Sequence, residues 1–402
     1  MNRTLAYFIA ISSANHLCFM GTRLVLVLYA IHLQASPAIV GLIAGLFGVV
    51  SAFVSVPAGR VMDRIGTGKP MLWCSALMVA GSMVGVLWHD IAALFIVSIV
   101  VGTFYSLFFV GHAQWVGKIG KPENRVNNIG LASLGFSVAT FTGPMAAGYV
   151  IDHFGHALAL FMLGMVPMFS VAVLALKVIE APPGSGQSAA SRAAAGKRSI
   201  KDLLRDRELR RVYMVCVIAS STWSIVSLLI PLYGSEIGLS ASTIGLILGA
   251  YSSASIVIRV FMTHLARRFT GWQQMLLSLG SAGACFIILP LVTQVAGLMV
   301  VAFMIGLGMG LAGPLSQNLL YDASPPDRIG EVMGLRVTVM NSTSTAIPLV
   351  SGSLSAAVGV APIFWMLALV LLGGAWSRRG QWKLARTVHE TVSAGSGKES
   401  GK

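Results

Sequence analysis

About twelve apolar runs, each long enough to cross a bilayer as a helix, follow one another along this chain. They fall near 6–33, 38–58, 71–88, 91–115, 128–151 and 157–178, and then near 212–233, 241–263, 273–292, 296–319, 330–357 and 360–376. A segment surrounded by lipid must satisfy its backbone hydrogen bonds internally, which leaves a helix or a closed barrel. Runs of about 17–25 apolar residues have the length of helices, not of barrel strands. Hydrophobic residues make up 55% of the chain, charged residues 10%, and the mean hydropathy is +0.80, which excludes a soluble enzyme with one buried core. The chain is expected to be an all-α membrane protein.

A formal net charge of +14 raises nucleic acid as a partner, but the placement of the charges argues against it. Between runs, Lys and Arg occur at Arg60, Arg64 and Lys69, at Lys118, Lys121 and Arg125, through 177–211, at Arg267 and Arg268, and at Arg328. The alternate connections (34–37, 89–90, 152–156, 234–240, 293–295 and 358–359) contain none. By the positive-inside rule both termini are cytoplasmic and the number of spans is even. The first run is too long for a signal-peptide core and is expected to stay as a span. Cys18, Cys74, Cys216 and Cys285 all fall inside spans without ligand spacing, so neither a disulfide nor a metal is expected.

The two halves repeat at an offset of 204 residues. Gly41, Gly45, Gly102, Gly130, Gly148 and Gly155 meet Gly245, Gly249, Gly306, Gly334, Gly352 and Gly359, while Pro122 and Pro144 meet Pro326 and Pro348. Parallel repeats of six spans describe a transporter whose cargo site lies at the midplane between two bundles. The expected organisation is a six-helix bundle over 1–178, a cytoplasmic linker with a short amphipathic helix over 179–210, a second six-helix bundle over 211–378, and a cytoplasmic tail over 379–402. The linker contains an Ala, Gly and Ser-rich stretch. Its Ile200, Leu203 and Leu204 lie at helical spacing among charges, suited to an anionic lipid surface.

The turn between the second and third runs carries Gly59, Asp63, Arg64, Gly66 and Lys69. This pattern resembles the loop joining spans 2 and 3 in major facilitator superfamily transporters. The resemblance covers nearly the whole chain and implies two pseudo-symmetric six-helix bundles, twelve transmembrane helices in all. It further implies that Asp63 holds the halves together by contacting span 11, where Arg336 is the natural partner of a conformational latch; local pairing of Asp63 with Arg60 or Arg64 is the other reading. Gly130, Gly143, Pro144 and Gly148 resemble the superfamily's antiporter motif, with Ala139 and Ala147 in place of two glycines, which implies an exporter. Where many relatives place an arginine four residues before the span-4 glycine, this chain has Ser98.

Two apparent motifs dissolve in context. Gly308, Gly310 and Gly313 satisfy a dinucleotide-binding pattern, but they lie inside an apolar run with no preceding strand. Asn341-Ser342-Thr343 forms a glycosylation triplet inside a span, where Asn341 is better suited to line a cavity.

Polar residues within spans mark the candidate cargo site. The first run carries Asn15, His16 and Arg23, and an ionised side chain near the bilayer centre costs ~2.5–3.5 kcal/mol on insertion scales, so such groups usually face a water-filled cavity. Arg23 has a competing reading, in which it snorkels to the interface. His112 is a titrating or binding candidate beside the reading of a hydrogen-bonded structural histidine. Trp223, Tyr251 and Trp365 are aromatic candidates for the lining. None of the 14 Asp and Glu residues falls in a span core, which disfavours an organic cation as cargo.

The function expected from these residues and the resemblance is secondary active transport by alternating access. The cargo would be a small neutral or anionic amphiphile or drug, exported across a bacterial cytoplasmic (inner) membrane. Any proton coupling would run through His16, His112 or Asp63. Catalysis, a cofactor, a metal and nucleic acid are not expected; the partners are the small-molecule substrate and membrane lipid, and the chain is expected to be a monomer. Two alternatives stand: an importer or facilitator of a small organic anion, and a membrane sensor or scaffold that binds without moving its ligand.

Overall fold

The computed structural model describes residues 3–116, 119, 125–181, 203, 205–261, 264–265, 268–324 and 329–377 of the chain. In order, the helices are α1 (Arg3–His32), α2 (Pro37–Ile65), α3 (Gly68–Leu87), α4 (Ile91–Val116), α5 (Arg125–Phe154) and α6 (His156–Ala175). The second half supplies α7 (Arg207–Glu236), α8 (Ala241–Val260), α9 (Gly271–Ile288), α10 (Val295–Met309), α11 (Ala312–Ala323), α12 (Ile329–Val358) and α13 (Ala361–Ser377). No strand occurs among the described residues. Nine helices there are long and apolar enough to cross a membrane, and α10 and α13 are shorter apolar helices. Counting α10 with α11 as one interrupted span, the described residues supply the twelve helical segments of a twelve-span chain.

The interruption is a departure from the single continuous run expected near 296–319. It falls at Gly310 and Leu311, within a glycine cluster that weakens helix continuity. Four helices, α1, α5, α7 and α12, are 30 residues long. At ~1.5 Å per residue each extends well past a hydrocarbon core of ~30 Å.

The repeat seen in the sequence sets the helix boundaries. α7 begins and ends 204 residues after α1, α12 does the same after α5, and α8 and α10 begin 204 residues after α2 and α4. The connecting turns follow suit. Gln34 (φ 59°) and Gly238 (φ 76°) share a left-handed conformation, as do Gly155 and Gly359 (both φ 84°). Glycine adopts that region freely; Gln34 holds it against the steric preference of an L residue.

Helix starts are chemically marked. Ser36 caps α2, with its hydroxyl on the Ile39 N–H and proline in the first turn; Gly66 ends the same helix, its N–H on the Met62 carbonyl. Thr270 and Gln273 form a reciprocal capping box at α9.

Residues up to 199 form one compact unit together with 223–249 and 341–360, and 200–222, 250–340 and the residues from 361 form the other. Helices α7, α8 and α12 thus each give one end to either unit. The first unit is centred on Phe8, Ile11, Met71, Phe108 and Trp115, and a core of the second on Leu209, Val212, Tyr213, Leu320 and Val332. Repeat-related glycines do the same work in each. A Cβ on Gly102 would collide with the Phe47 carbonyl in the first unit, and a Cβ on Gly306 would collide with the Tyr251 carbonyl in the second. Close approach of helix backbones through small residues is how membrane helices pack when water drives nothing.

Candidate functional site

Ser12, His16, Phe19 and Arg23 follow one another at helical spacing and so share one face of α1. Each of the first three meets α4 or its neighbours. Ser12 Oγ lies 2.9 Å from His112 Nδ1, and His112 is stacked on Phe8 at 4.9 Å between ring centroids. His16 uses both ring nitrogens, Nδ1 with the Tyr105 hydroxyl and Nε2 with Thr140 Oγ1 at 2.8 Å. Phe19 stacks on Tyr105 at 3.9 Å and meets Phe47 edge-on at 5.6 Å. Phe136 of α5 presents an edge-type contact to both imidazoles, at 4.8 Å from His16 and 4.7 Å from His112. The outcome is an aromatic wall with hydroxyls and imidazoles set into it, drawn from α1, α2, α4 and α5.

Asn15 faces elsewhere. Its amide nitrogen donates to the Ile11 carbonyl at 2.9 Å and to Ser170 Oγ at 2.7 Å, and its oxygen accepts from Ser75 Oγ at 3.1 Å. Fully buried, it ties α1 to α3 and α6. Buried polar groups are kept where such networks satisfy them.

Arg23 is the exception to that rule. Its side chain is 7% exposed, its Nε has no hydrogen-bond partner, and no carboxylate pairs with it among the described residues. Such burial is not that of a side chain snorkelling along a lipid-facing surface. An uncompensated buried cation is strongly unfavourable.

The remaining candidates are distributed. Trp223 on α7, half-buried, and Asn341 on α12 belong to the same unit as the α1 face, and the Asn341 carbonyl would lie 3.5 Å from a Cβ on Gly48. Tyr251 on α8 is 4% exposed and belongs to the other unit, as does Trp365, whose indole N–H reaches the Ile287 carbonyl at 3.2 Å. Of the latch residues, Gly59 accepts from Gln114 Nε2 at 3.3 Å, Gly66 ends α2, and Arg64 is exposed. Arg336 donates to the Gly313 carbonyl at 3.2 Å, while its Nε has no partner among the described residues. The Asp63 side chain lies outside the described residues, and so does most of the amphipathic stretch near 200.

Three residues of the antiporter-like motif, Gly143, Pro144 and Gly148, lie at close helix contacts. A Cβ on Gly143 would stand 3.0 Å from the Leu17 carbonyl of α1, and one on Gly148 would collide with the Ala241 carbonyl at the start of α8. Pro144 offers its carbonyl 2.5 Å from where a Cβ of Gly245 would be, whereas Gly130 is in open space. On the opposite pair of helices, a Cβ on Gly41 would lie 2.5 Å from the Pro348 carbonyl and 2.7 Å from Gly352 Cα. These two seams, α5 on α8 and α2 on α12, lie within the first unit. Sequence reasoning missed Tyr105, Thr140, Phe136 and Ser170, which are ordinary residues in apolar runs.

The sequence profile of the Major Facilitator Superfamily matches residues 8–347, and the chain belongs to that family. Among relatives, an uncharacterized MFS-type transporter, y4rN of Sinorhizobium fredii, is 22% identical over 365 residues, covering 86% of this chain and 88% of its own. The inner membrane transport protein YajR of Escherichia coli is 26% identical over 162 residues, 40% of this chain and 35% of its own. A crystal structure of a mutant of the peptide transporter POT in complex with sulfate superposes with a TM-score of 0.78 at 16% identity, covering 95% of both chains. The nucleoside transporter NupG gives 0.76 at 13% identity, over 93% of this chain and 99% of that one. The protein is therefore a multi-pass membrane transporter with the major facilitator fold, not an enzyme; such a transporter binds small-molecule substrates and sits in membrane lipid.

Proposed function

We propose that the protein exports small neutral or anionic amphiphiles from the cytoplasm by alternating access, with Arg23 as the group that receives a negative charge. The observation that carries this reading is the buried Arg23, whose Nε has no partner among the described residues, on the same α1 face as the aromatic wall. An anionic head at Arg23 would compensate the guanidinium, and an apolar body would lie along Phe19, Tyr105 and Phe136. His16 and His112 would supply hydrogen bonds to polar substituents or hold a coupling proton, and Asn15 would position α1. Trp223 and Asn341 would extend the lining from α7 and α12. The absence of Asp and Glu from the span cores agrees with this charge preference.

Export follows from the likeness of Gly130, Gly143, Pro144 and Gly148 to the antiporter motif. The location in a bacterial inner membrane, with both termini cytoplasmic, is supported by the loop charges and by the Escherichia coli relative, an inner membrane transport protein.

The test uses decanoate, decanol and decyltrimethylammonium, amphiphiles of one chain length with negative, zero and positive charge. Thermal unfolding of the purified protein should shift upward with decanoate, and Arg23→Gln should lose that shift while keeping any response to decanol. Equal stabilisation of native and Arg23→Gln protein by the cation would overturn the assignment. Flux of the stabilising compound into inside-out vesicles, absent from right-side-out ones, is the result expected of an exporter.

A further inference from the structure

At one end of the α5–α8 seam a carboxylate joins two segments that lie far apart in the chain. Asp152, in the last turn of α5, accepts the Ala241 N–H on Oδ1 at 2.9 Å and the Ser242 N–H on Oδ2 at 2.7 Å. These are the first two N–H groups of α8, which have no partner inside their own helix. The third, Thr243, bonds Ser240 Oγ at 3.2 Å. So α8 is capped partly by its own serine and partly by a residue 89 positions earlier. The charge suits the positive end of the helix, and an ionised acceptor makes the stronger kind of hydrogen bond.

The repeat shows that this arrangement is specific. In the α2–α12 seam, Ser36 caps Ile39 as Ser240 caps Thr243. The residue matching Ala241 is Pro37, which has no N–H to give, and the residue matching Asp152 is Ala356. One of the two donors and the acceptor are thus missing together, and only Ala38, which matches Ser242, keeps its N–H. Ala241 is also held from its other side, because its carbonyl lies against Gly148, one turn before Asp152. His156 at the start of α6 lies within electrostatic reach of Asp152 and stacks on His32 and Tyr29 of α1.

We propose that Asp152 is a positioning residue for transport: ionised, it fastens the first turn of α8 to the end of α5 while this face is closed, and releases it when the face opens. Alternating access needs a seam that closes reliably and still parts. Glycine contacts supply fit without direction. Asp152 adds a directional, charged fastener that is solvent-exposed, so water replaces it on opening.

The experiment reads conformation directly, without cargo, so its outcome does not depend on what is carried or in which direction. The full chain, with Cys18, Cys74, Cys216 and Cys285 replaced by alanine, carries spin labels at Phe154→Cys and Glu236→Cys, and interspin distances are measured in nanodiscs. A short distance should dominate. Asp152→Ala should move the ratio of short to long distances about tenfold toward long, ~1.4 kcal/mol. Asp152→Asn should fall between, and Asp152→Glu should restore most of the short population. A distribution unchanged in Asp152→Ala, whether or not the melting temperature falls, would overturn the proposal and leave Asp152 a local cap. Equal shifts in the Glu and Ala variants would overturn the role of the charge.

Discussion

The α2–α12 seam and the α5–α8 seam are copies of one contact, yet they are closed by different means. In the first, backbone meets backbone: Gly352 would place a Cβ 2.6 Å from Gly41 Cα, and Gly45 would place one 2.9 Å from the Thr345 carbonyl. The second begins as tightly, with Gly245 against Pro144, and then loosens. The nearest atoms to a Cβ on Gly249 would all be side-chain atoms, Met145 Cγ and Sδ at 3.1 Å and Phe141 Cε2 at 3.4 Å. The looser seam is the one with the Asp152 fastener at its end. Duplication kept the approach distance, which glycine alone permits, and let the means of holding it diverge.

The largest effect should come from filling either seam at its tightest point. Gly148→Val drives a branched side chain into the Ala241 carbonyl, and Gly41→Val does the same at Pro348 and Gly352, where no flexible atom can give way. Overpacking of this kind costs typically ~1–3 kcal/mol, and here it acts on closure. Both variants should insert and retain native helix content by circular dichroism while transport in vesicles falls at least about tenfold. If Gly148→Val transports normally and Gly41→Val does not, the two seams are not equivalent parts of one gate.

A smaller change should separate them. An alanine methyl at Gly45 presses on the Thr345 carbonyl and on Leu349 Cγ, both at 2.9 Å, whereas at Gly249 it presses on a methionine that can turn aside. Gly45→Ala should therefore lower transport several-fold, and Gly249→Ala should stay within about twofold of native. Equal losses would show that Met145 is as fixed as a backbone carbonyl, and the contrast between a rigid and an adjustable seam would fail.

The seams explain which parts of the molecule could be read from residues alone. Twelve spans and the 204-residue repeat were legible because lipid demands helices of a certain length and because glycine and proline cannot be exchanged at close backbone contacts. Gly41, Gly148, Gly245 and Gly352 could thus be matched in register before their partners were known. The aromatic wall was only half legible. His16 and Arg23 stood out as polar residues in an apolar run, but Tyr105, Thr140 and Phe136 are typical of such runs and are marked only by where folding brings them. Asn15 looked like a cavity residue, and its polarity is absorbed instead by Ser75, Ser170 and the Ile11 carbonyl. Asp152 could not have been given its role in advance, since a carboxylate at a helix end is common and its donors lie 89 and 90 residues away.

The smallest effect tests whether the fastener can be transplanted. Ala356→Asp places a carboxylate in the α2–α12 seam at the position that matches Asp152, on an exposed site where it costs little to insert. Capping by a carboxylate is worth ~0.5–2 kcal/mol when free N–H groups stand ready. At α2, however, Pro37 has none, and Ser36 already serves Ile39, which leaves Ala38 as the single matching donor. Ala356→Asp alone should change neither melting temperature nor transport measurably. Ala356→Asp with Pro37→Ala rebuilds both donors and should favour the closed seam, slowing transport about twofold with a small rise in melting temperature. An equal response to the single and the double substitution would mean that charge near the helix end, and not a paired set of N–H donors, is what holds such a seam together.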